Sequence, residues 1–196
     1  MRNWYYSKYH VGVKALISHE EESFELIQSA ISLQKPHLIV EFGSAYYGLT
    51  LLMHEVDPST PLITFDRIDP TESIRRTKGF IKSTDEIKEL RRVGFNSNVR
   101  FYVESILGEE PNKVVVEFLS TPCTKFVYMD NGNKVREVNT YAKYLREGDV
   151  LGVHDWGPEI NYEREGIKES LIEFKPHPLN LFFEDRNLVT RMFVRT

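Results

Sequence analysis

Residues 37–48 read His37-Leu-Ile-Val-Glu41-Phe-Gly43-Ser-Ala45-Tyr-Tyr-Gly48, and this stretch indicates the fold of the chain. Its aliphatic run leads into the carboxylate of Glu41 and then into a turn of small residues. A second apolar run follows further along the chain and ends at Asp66. A buried strand, a turn that opens a helix and a second strand ending in an acid form the front half of a nucleotide-binding βαβ unit, in which that acid binds a ribose hydroxyl.

The composition of the turn favours a nucleotide that brings no phosphate to it. A pyrophosphate needs close approach to backbone amides, which is why dinucleotide-binding turns are rich in glycine. Here Ala45 replaces the middle glycine, two tyrosines follow it, and Glu41 would place negative charge near the phosphates. The same carboxylate suits a ligand with positive charge, such as S-adenosylmethionine with its ammonium and sulfonium. The residues therefore favour an S-adenosylmethionine site over an NAD site.

The motif and its spacing also resemble a known family. Residues 41–45 look like the first motif of class I S-adenosylmethionine-dependent methyltransferases, and Asp66 looks like their ribose-binding acid. Segments 126–130 and 145–156 are similar to the fourth and fifth strands of small O-methyltransferases related to catechol and macrolide-sugar O-methyltransferases. The resemblance covers residues 37–156 in matching order. The sequence departs from the family pattern at Ala45, at Tyr47 and at Glu147-Gly148, where the family usually has paired glycines.

The patterns and the resemblance together predict an α/β fold. It is a Rossmann-like three-layer sandwich, with a seven-stranded, mostly parallel sheet and a C-terminal antiparallel hairpin. Strands are predicted at 38–40, 62–65, 99–103, 126–129 and 150–153, with the hairpin at 179–183 and 188–194. Helices are predicted at 21–33, 49–55, 84–92, 111–120 and 134–146. We expect a single S-adenosylmethionine-binding methyltransferase domain over residues 1–196, with 1–35 as an N-terminal helical extension.

Composition limits the classes of partner. The chain has 196 residues, of which 41% are hydrophobic and 28% charged, as in ordinary globular proteins. A net charge of −4 gives no electrostatic reason to expect nucleic acid or an anionic membrane as a partner. The lone Cys123 cannot form an internal disulfide, and no apolar run reaches the length of a membrane helix. We expect a cytoplasmic protein acting on a small-molecule or sugar acceptor, and a homo-oligomer is left open.

Cofactor contacts are predicted where the strands end. The resemblance implies that Glu41 and the turn Gly43-Ser44-Ala45 hold the cofactor and that Asp66 binds its ribose, with Arg67 as a neighbour. An acid or polar residue after the third strand would take the adenine amine, and either Glu104 or Ser105 could serve. The residues after the fourth strand complete the predicted set, Asp130 and Asn131.

Candidates for catalysis follow the fourth and fifth strands. In metal-dependent relatives of catechol O-methyltransferase, acids at the positions of Asp130 and Asp155 bind a divalent cation, so Mg²⁺ is one expectation. His154, with an ordinary pKa of about 6.5, is the competing candidate for a general base. Strand alternation would send His154 and Asp155 to opposite faces if the strand continues that far, and Asp155 is then favoured in the crevice. Lys134 either faces the substrate or belongs to an ordinary turn.

Two other functions remain open at this point. The same βαβ unit serves NAD-dependent oxidoreductases, although Glu41 and Tyr47 oppose that assignment. A non-catalytic methyltransferase-like binding domain is the second alternative, and the departures at Ala45 and Tyr47 keep it open.

Overall fold

A seven-stranded sheet forms the middle of the computed structural model, which describes residues 5–6, 16–17, 21–45, 48–69, 72 and 98–196. Two short strands, β1 (Tyr5–Tyr6) and β2 (Leu16–Ile17), pair with each other outside it. The strands of the main sheet are β3 (Leu38–Phe42), β4 (Leu62–Asp66), β5 (Val99–Val103), β6 (Lys125–Met129), β7 (Val150–Val153), β8 (Phe174–Pro176) and β9 (Arg191–Arg195). The five strands predicted before residue 160 are therefore all present.

The order of the strands identifies the type of sheet. It is β5-β4-β3-β6-β7-β9-β8, so the chain winds outward from β3 in two directions. β3 to β7 pair in parallel, whereas β9 runs antiparallel to both of its neighbours. The predicted fold class, a Rossmann-like sandwich with a mostly parallel seven-stranded sheet and an antiparallel end, is confirmed.

Helices cover both faces of the sheet. They are α1 (Glu21–Gln34), α2 (Gly48–Val56), α3 (Lys113–Ser120), α4 (Lys134–Tyr141), α5 (Ile167–Ser170) and α6 (Asn180–Asp185), with a 3₁₀ turn at Ala142–Tyr144. Alternate residues of each strand point to opposite faces, so Val40 packs with α3 and α4 while Ile39 packs with α1 and α2. The two apolar layers make the three-layer sandwich.

The C-terminal hairpin is present, but its first strand was wrongly placed. Residues 179–183 were predicted as that strand, whereas most of this segment belongs to α6 and the pairing strand is β8. The apolar run buries Asn180 and Phe183 and leaves Leu181 and Phe182 exposed, a helical spacing of three residues. A short apolar run cannot by its length distinguish a strand from a helical turn.

Three predictions fall partly or wholly outside the described residues. These are the helix at 84–92, the turn tyrosines 46 and 47, and most of the N-terminal segment. The single-domain assignment with an extension at 1–35 stays a prediction. In the part of the chain that the structure describes, no helix has the length and apolar character required to cross a membrane.

Gly43 allows two strands to end unusually close together. Its backbone has φ +92°, and a Cβ atom there would lie 2.5 Å from the carbonyl oxygen of Asp130. The Asp130 amide donates to the Phe42 carbonyl at 2.8 Å, and the Gly43 amide donates to the Phe65 carbonyl at 2.8 Å. Only a residue without a side chain fits this position.

We expect Gly43→Ala to lower the free energy of unfolding by about 3 kcal/mol, because it combines backbone strain with overlap against fixed backbone atoms. Urea denaturation of the purified protein measures the loss. The matched control is Gly148→Ala, where φ is +83° but no described atom lies within 4 Å of the added Cβ. That variant should lose only about 1 kcal/mol. Equal losses in the two variants would contradict the close-packing account.

Candidate active site

The candidate site lies at the carboxyl edge of the sheet, where the strands end. β4 ends at Asp66, and Asp130 and His154 directly follow β6 and β7. The turn 43–45 follows β3 at the same edge. Ligands of open α/β sheets bind beyond the carboxyl ends of the strands. The residues predicted for cofactor binding and for chemistry therefore share one edge.

Glu41 is fully buried beneath the turn. Strand alternation points it, with Thr64 of β4, toward α2, and the hydroxyls of Thr50 and Thr64 donate to its Oε2 at 2.5 and 2.6 Å. Oε1 is buried with no hydrogen-bond partner among the described residues. Burial outweighs the two threonine bonds and raises the pKa of Glu41 from 4.5 to about 8. Glu41 therefore keeps its proton at neutral pH unless a cation reaches it.

Asp66 ties the end of β4 to the turn after β3. Its Oδ2 accepts from the Ala45 amide at 3.0 Å and from the Ser44 hydroxyl at 3.5 Å, and its Oδ1 accepts from the Ile68 amide at 3.1 Å. Ala45 adopts φ +45° to present its amide. A carboxylate has about four acceptor sites, so Asp66 keeps capacity for a ligand hydroxyl.

A pocket of about 230 Å³ opens between the ends of β4, β5 and β6. It brings together three of the predicted cofactor residues, Arg67, Ser105 and Asn131. Its remaining lining residues are Leu107, Gly132, Asn133 and Arg136. The Arg136 guanidinium donates to the Gly108 carbonyl and so ties α4 to the loop after β5. The pocket is polar and lies beside Asp66, which directly precedes Arg67.

Glu104, also predicted to bind the cofactor, has a hydrogen-bond partner within the protein. Its carboxylate accepts from the Asn112 side chain at 2.7 Å. Asn112 also caps α3, since its Oδ1 accepts from the Val114 amide at 2.9 Å. The buried Tyr141 hydroxyl accepts from the Asn112 amide at 2.9 Å and donates to the Ile106 carbonyl. These bonds fix loop 104–112, one wall of the pocket.

Lys134 lies at the centre of a group of carboxylates that we call the acid cluster, Asp130, Asp155 and Glu159. Its Nζ is 2.8 Å from Asp155 Oδ2, 3.0 Å from Glu159 Oε2 and 3.4 Å from Asp130 Oδ1. The side chain is only 6% exposed. Burial lowers the pKa of Lys134, but the surrounding carboxylates outweigh burial and raise it above its usual value. Lys134 is a fixed cation at this edge of the sheet.

His154 joins the same group. Its Nδ1 lies 3.1 Å from Asp130 Oδ1 and 3.4 Å from Asp155 Oδ2. Burial lowers the pKa of His154, but the bonds to the two aspartates raise it to about 9. A raised pKa does not favour His154 as a general base at neutral pH, and its role in catalysis stays a prediction. The bond from His154 is also the main reason that the pKa of Asp155 lies well below its usual range.

Opposite faces were expected for His154 and Asp155 only if β7 continued that far, and it does not. β7 ends at Val153, and Asp155 adopts φ +54°. This left-handed residue ends the alternation of the strand, so both side chains reach the acid cluster. Trp156 then turns away and packs against Phe193, with ring centroids 5.0 Å apart.

Two further acids, which the sequence did not indicate, belong to the site. Glu159 bonds Lys134 from the loop after β7. Glu137 on α4 is fully buried, and its Oε1 accepts from the Asn133 amide at 3.4 Å. Burial raises the pKa of Glu137 to about 7.

The asparagines before α3 and α4 were readable N-cap signals, since both side chains accept from first-turn amides.

The sheet order and the site can be compared with known proteins. By sequence, the chain matches no protein-family model and no curated protein. Its fold is similar to that of solved methyltransferases. The O-methyltransferase TomG from Streptomyces achromogenes, solved with S-adenosylmethionine, superposes with a TM-score of 0.53 at 16% identity, over 90% of this chain and 81% of that one.

Two other solved structures agree with this similarity. A methyltransferase from Geobacter sulfurreducens gives a TM-score of 0.56 at 11% identity, over 90% of this chain and 79% of that one. An apo structure of CmcI-N160 gives 0.60 at 14% identity, over 92% and 73%. At these identities the similarity establishes the fold. The fold is that of class I S-adenosylmethionine-dependent methyltransferases, as the resemblance predicted.

The raised pKa of Glu41 predicts a pH dependence of stability. The folded chain keeps the Glu41 proton up to about pH 8, whereas the unfolded chain loses it near pH 4.5. The contribution of protonated Glu41 to the free energy of unfolding is therefore fully present below about pH 4.5 and is lost as the pH rises through about 8. Glu41→Gln, which keeps an acceptor for both threonines and carries no charge, should remove this loss. We expect a difference on the order of 3 kcal/mol between the pH dependences of the two proteins from about pH 5 to about pH 8.

Urea denaturation at several pH values measures both slopes. Glu137 leaves a smaller slope of the same sign in both proteins, because its pKa is also raised, to about 7. Parallel pH profiles for wild type and Glu41→Gln would show that Glu41 is already ionised in the folded chain.

Proposed function

We propose that this protein transfers a methyl group from S-adenosylmethionine to an oxygen of a small molecule or sugar, with a nitrogen as the less favoured acceptor. The observation that carries the proposal is the position of Asp66. It joins the turn after β3 at the carboxyl edge and directly precedes Arg67, which lines the polar pocket, within a methyltransferase fold. A carboxylate so placed suits the ribose hydroxyls of a nucleoside cofactor.

The residues present fit this cofactor. Glu41 Oε1 is a buried oxygen without a partner among the described residues, which suits the positive end of the cofactor. Asp66 would hold the ribose, and Arg67, Ser105 and Asn131 would line the remainder. When bound, S-adenosylmethionine supplies an electrophilic methyl group on a sulfonium. The protein's part is to bind, to orient and to hold charge.

The acid cluster would orient the acceptor. The Lys134 ammonium would donate a hydrogen bond to the acceptor oxygen. Asp155, held ionised by His154 and Lys134, would accept a hydrogen bond from the acceptor hydroxyl and take its proton as the methyl group is transferred. The rate gain would come chiefly from placing the acceptor oxygen in line with the methyl carbon.

A non-catalytic binding domain is the second candidate. It is favoured by the ion pairs of the site, because Lys134 and His154 are both bonded to carboxylates already. The NAD-dependent alternative fits less well, since the usual dinucleotide-binding sheet is a mostly parallel one of six strands, without an inserted antiparallel strand such as β9. Turnover with a panel of hydroxyl and amine acceptors separates the enzyme from the binding domain.

Calorimetry with S-adenosylhomocysteine tests the cofactor site. Wild type should bind with a dissociation constant in the micromolar range, and Asp66→Ala should weaken binding at least tenfold by removing the acceptor for the ribose hydroxyls. The control is Glu117→Ala, which removes the same charge from an exposed position on α3. Absence of binding to folded wild type, or equal binding by wild type and Asp66→Ala, would refute the assignment of this site.

A further inference from the structure

The cation within the acid cluster is supplied by the chain itself. The Lys134 ammonium reaches all three carboxylates, at 2.8, 3.0 and 3.4 Å. These distances suit an ammonium between carboxylate oxygens. The acids come from three places, the end of β6, the end of β7 and the loop beyond it. Lys134 is thus the point at which the separate carboxylates meet.

The position of Lys134 is also fixed from its backbone. It is the first residue of α4, and the preceding Asn133 caps the helix by accepting from the Arg136 amide at 3.1 Å. The Lys134 side chain is only 6% exposed, so neighbouring protein atoms surround it and restrict its movement. Helix α4 therefore holds the ammonium in the cluster.

A divalent cation would need the same space and the same oxygens. Mg²⁺ binds oxygen ligands at about 2.0–2.1 Å in near-octahedral geometry. An ion that reached Asp130 and Asp155 would lie within a few ångströms of the buried Nζ of Lys134, and two positive centres at that separation repel each other. The acids that suggested Mg²⁺ from the sequence are together, but they do not fit the ion while Lys134 is present.

We propose that Lys134 replaces a divalent metal ion in this site, so that the native chain binds no divalent cation there and loss of the Lys134 side chain creates a metal site. The carboxylates released by the substitution are hard oxygen ligands. Asp130, His154 and Asp155 already place one ligand atom each within 4.8 Å of one another. The inference concerns the cluster alone and does not depend on methyl transfer.

Mn²⁺ titration, followed by calorimetry and by the paramagnetic relaxation of water protons, tests the proposal on the 196-residue chain. We expect Lys134→Ala to bind one Mn²⁺ at least tenfold more tightly than wild type. Mn²⁺ should also raise the melting temperature of Lys134→Ala and leave that of wild type unchanged. Lys113→Ala is the control, because it removes the same charge from an exposed residue of α3 and should behave like wild type.

The double variant Lys134→Ala/Asp155→Asn locates the ion, since it should lose the gained affinity. If Lys134→Ala does not fold, Lys134→Gln replaces it, because the amide removes the charge at nearly the same length. Tight Mn²⁺ binding by wild type that Asp155→Asn abolishes would overturn the proposal, and so would absence of binding to every folded Lys134 variant. Binding of S-adenosylhomocysteine is measured in a separate experiment. Failure of the cofactor assignment therefore leaves the Mn²⁺ result unchanged.

Discussion

The close contact between Gly43 and the backbone of Asp130 sets the geometry of the whole edge. It lets β3 and β6 end side by side, with the Phe42 carbonyl accepting from the Asp130 amide. The turn that holds Asp66 and the carboxylate that meets Lys134 are thereby placed on adjacent strands. A bulkier residue at position 43 would separate the part of the edge suited to a nucleoside from the part suited to an acceptor.

Charge in this edge is balanced inside the protein. Lys134 and His154 supply positive charge to the acid cluster, while burial raises the pKa of Glu41 to about 8 and that of Glu137 to about 7. The site thus avoids buried carboxylates that are ionised without a neighbouring cation, which would be costly. A cationic ligand that reaches Glu41 would favour its ionised form, and this links ligand charge to the protonation of the site.

The sequence predicted the parallel part of the sheet because buried parallel strands read as short aliphatic runs between turns. Asp66, Asp130 and Asp155 were found for the same reason, since each acid stands where such a run ends. Gly43 was recognised as part of the turn, but its contact with Asp130 depends on the pairing of β3 with β6 and has no local signal.

The remaining errors also arise from distance along the chain or from local ambiguity. Glu159 joins the acid cluster through a loop whose course the sequence does not specify. Strand alternation does not apply to Asp155, because its backbone is left-handed. The helical turn of α6 resembled a strand because its apolar run is short. The pKa of His154 depends on two aspartates brought in by separate strands, so its ordinary value was a poor guide.

A crystal structure of the 196-residue chain grown with S-adenosylhomocysteine and MnCl₂ tests the cofactor site and the role of Lys134 together. We expect a nucleoside at the carboxyl edge, with its ribose hydroxyls within hydrogen-bonding distance of Asp66 and no anomalous manganese signal beside Lys134. A nucleoside bound elsewhere, or a manganese ion between Asp130 and Asp155 with Lys134 displaced, would contradict this expectation.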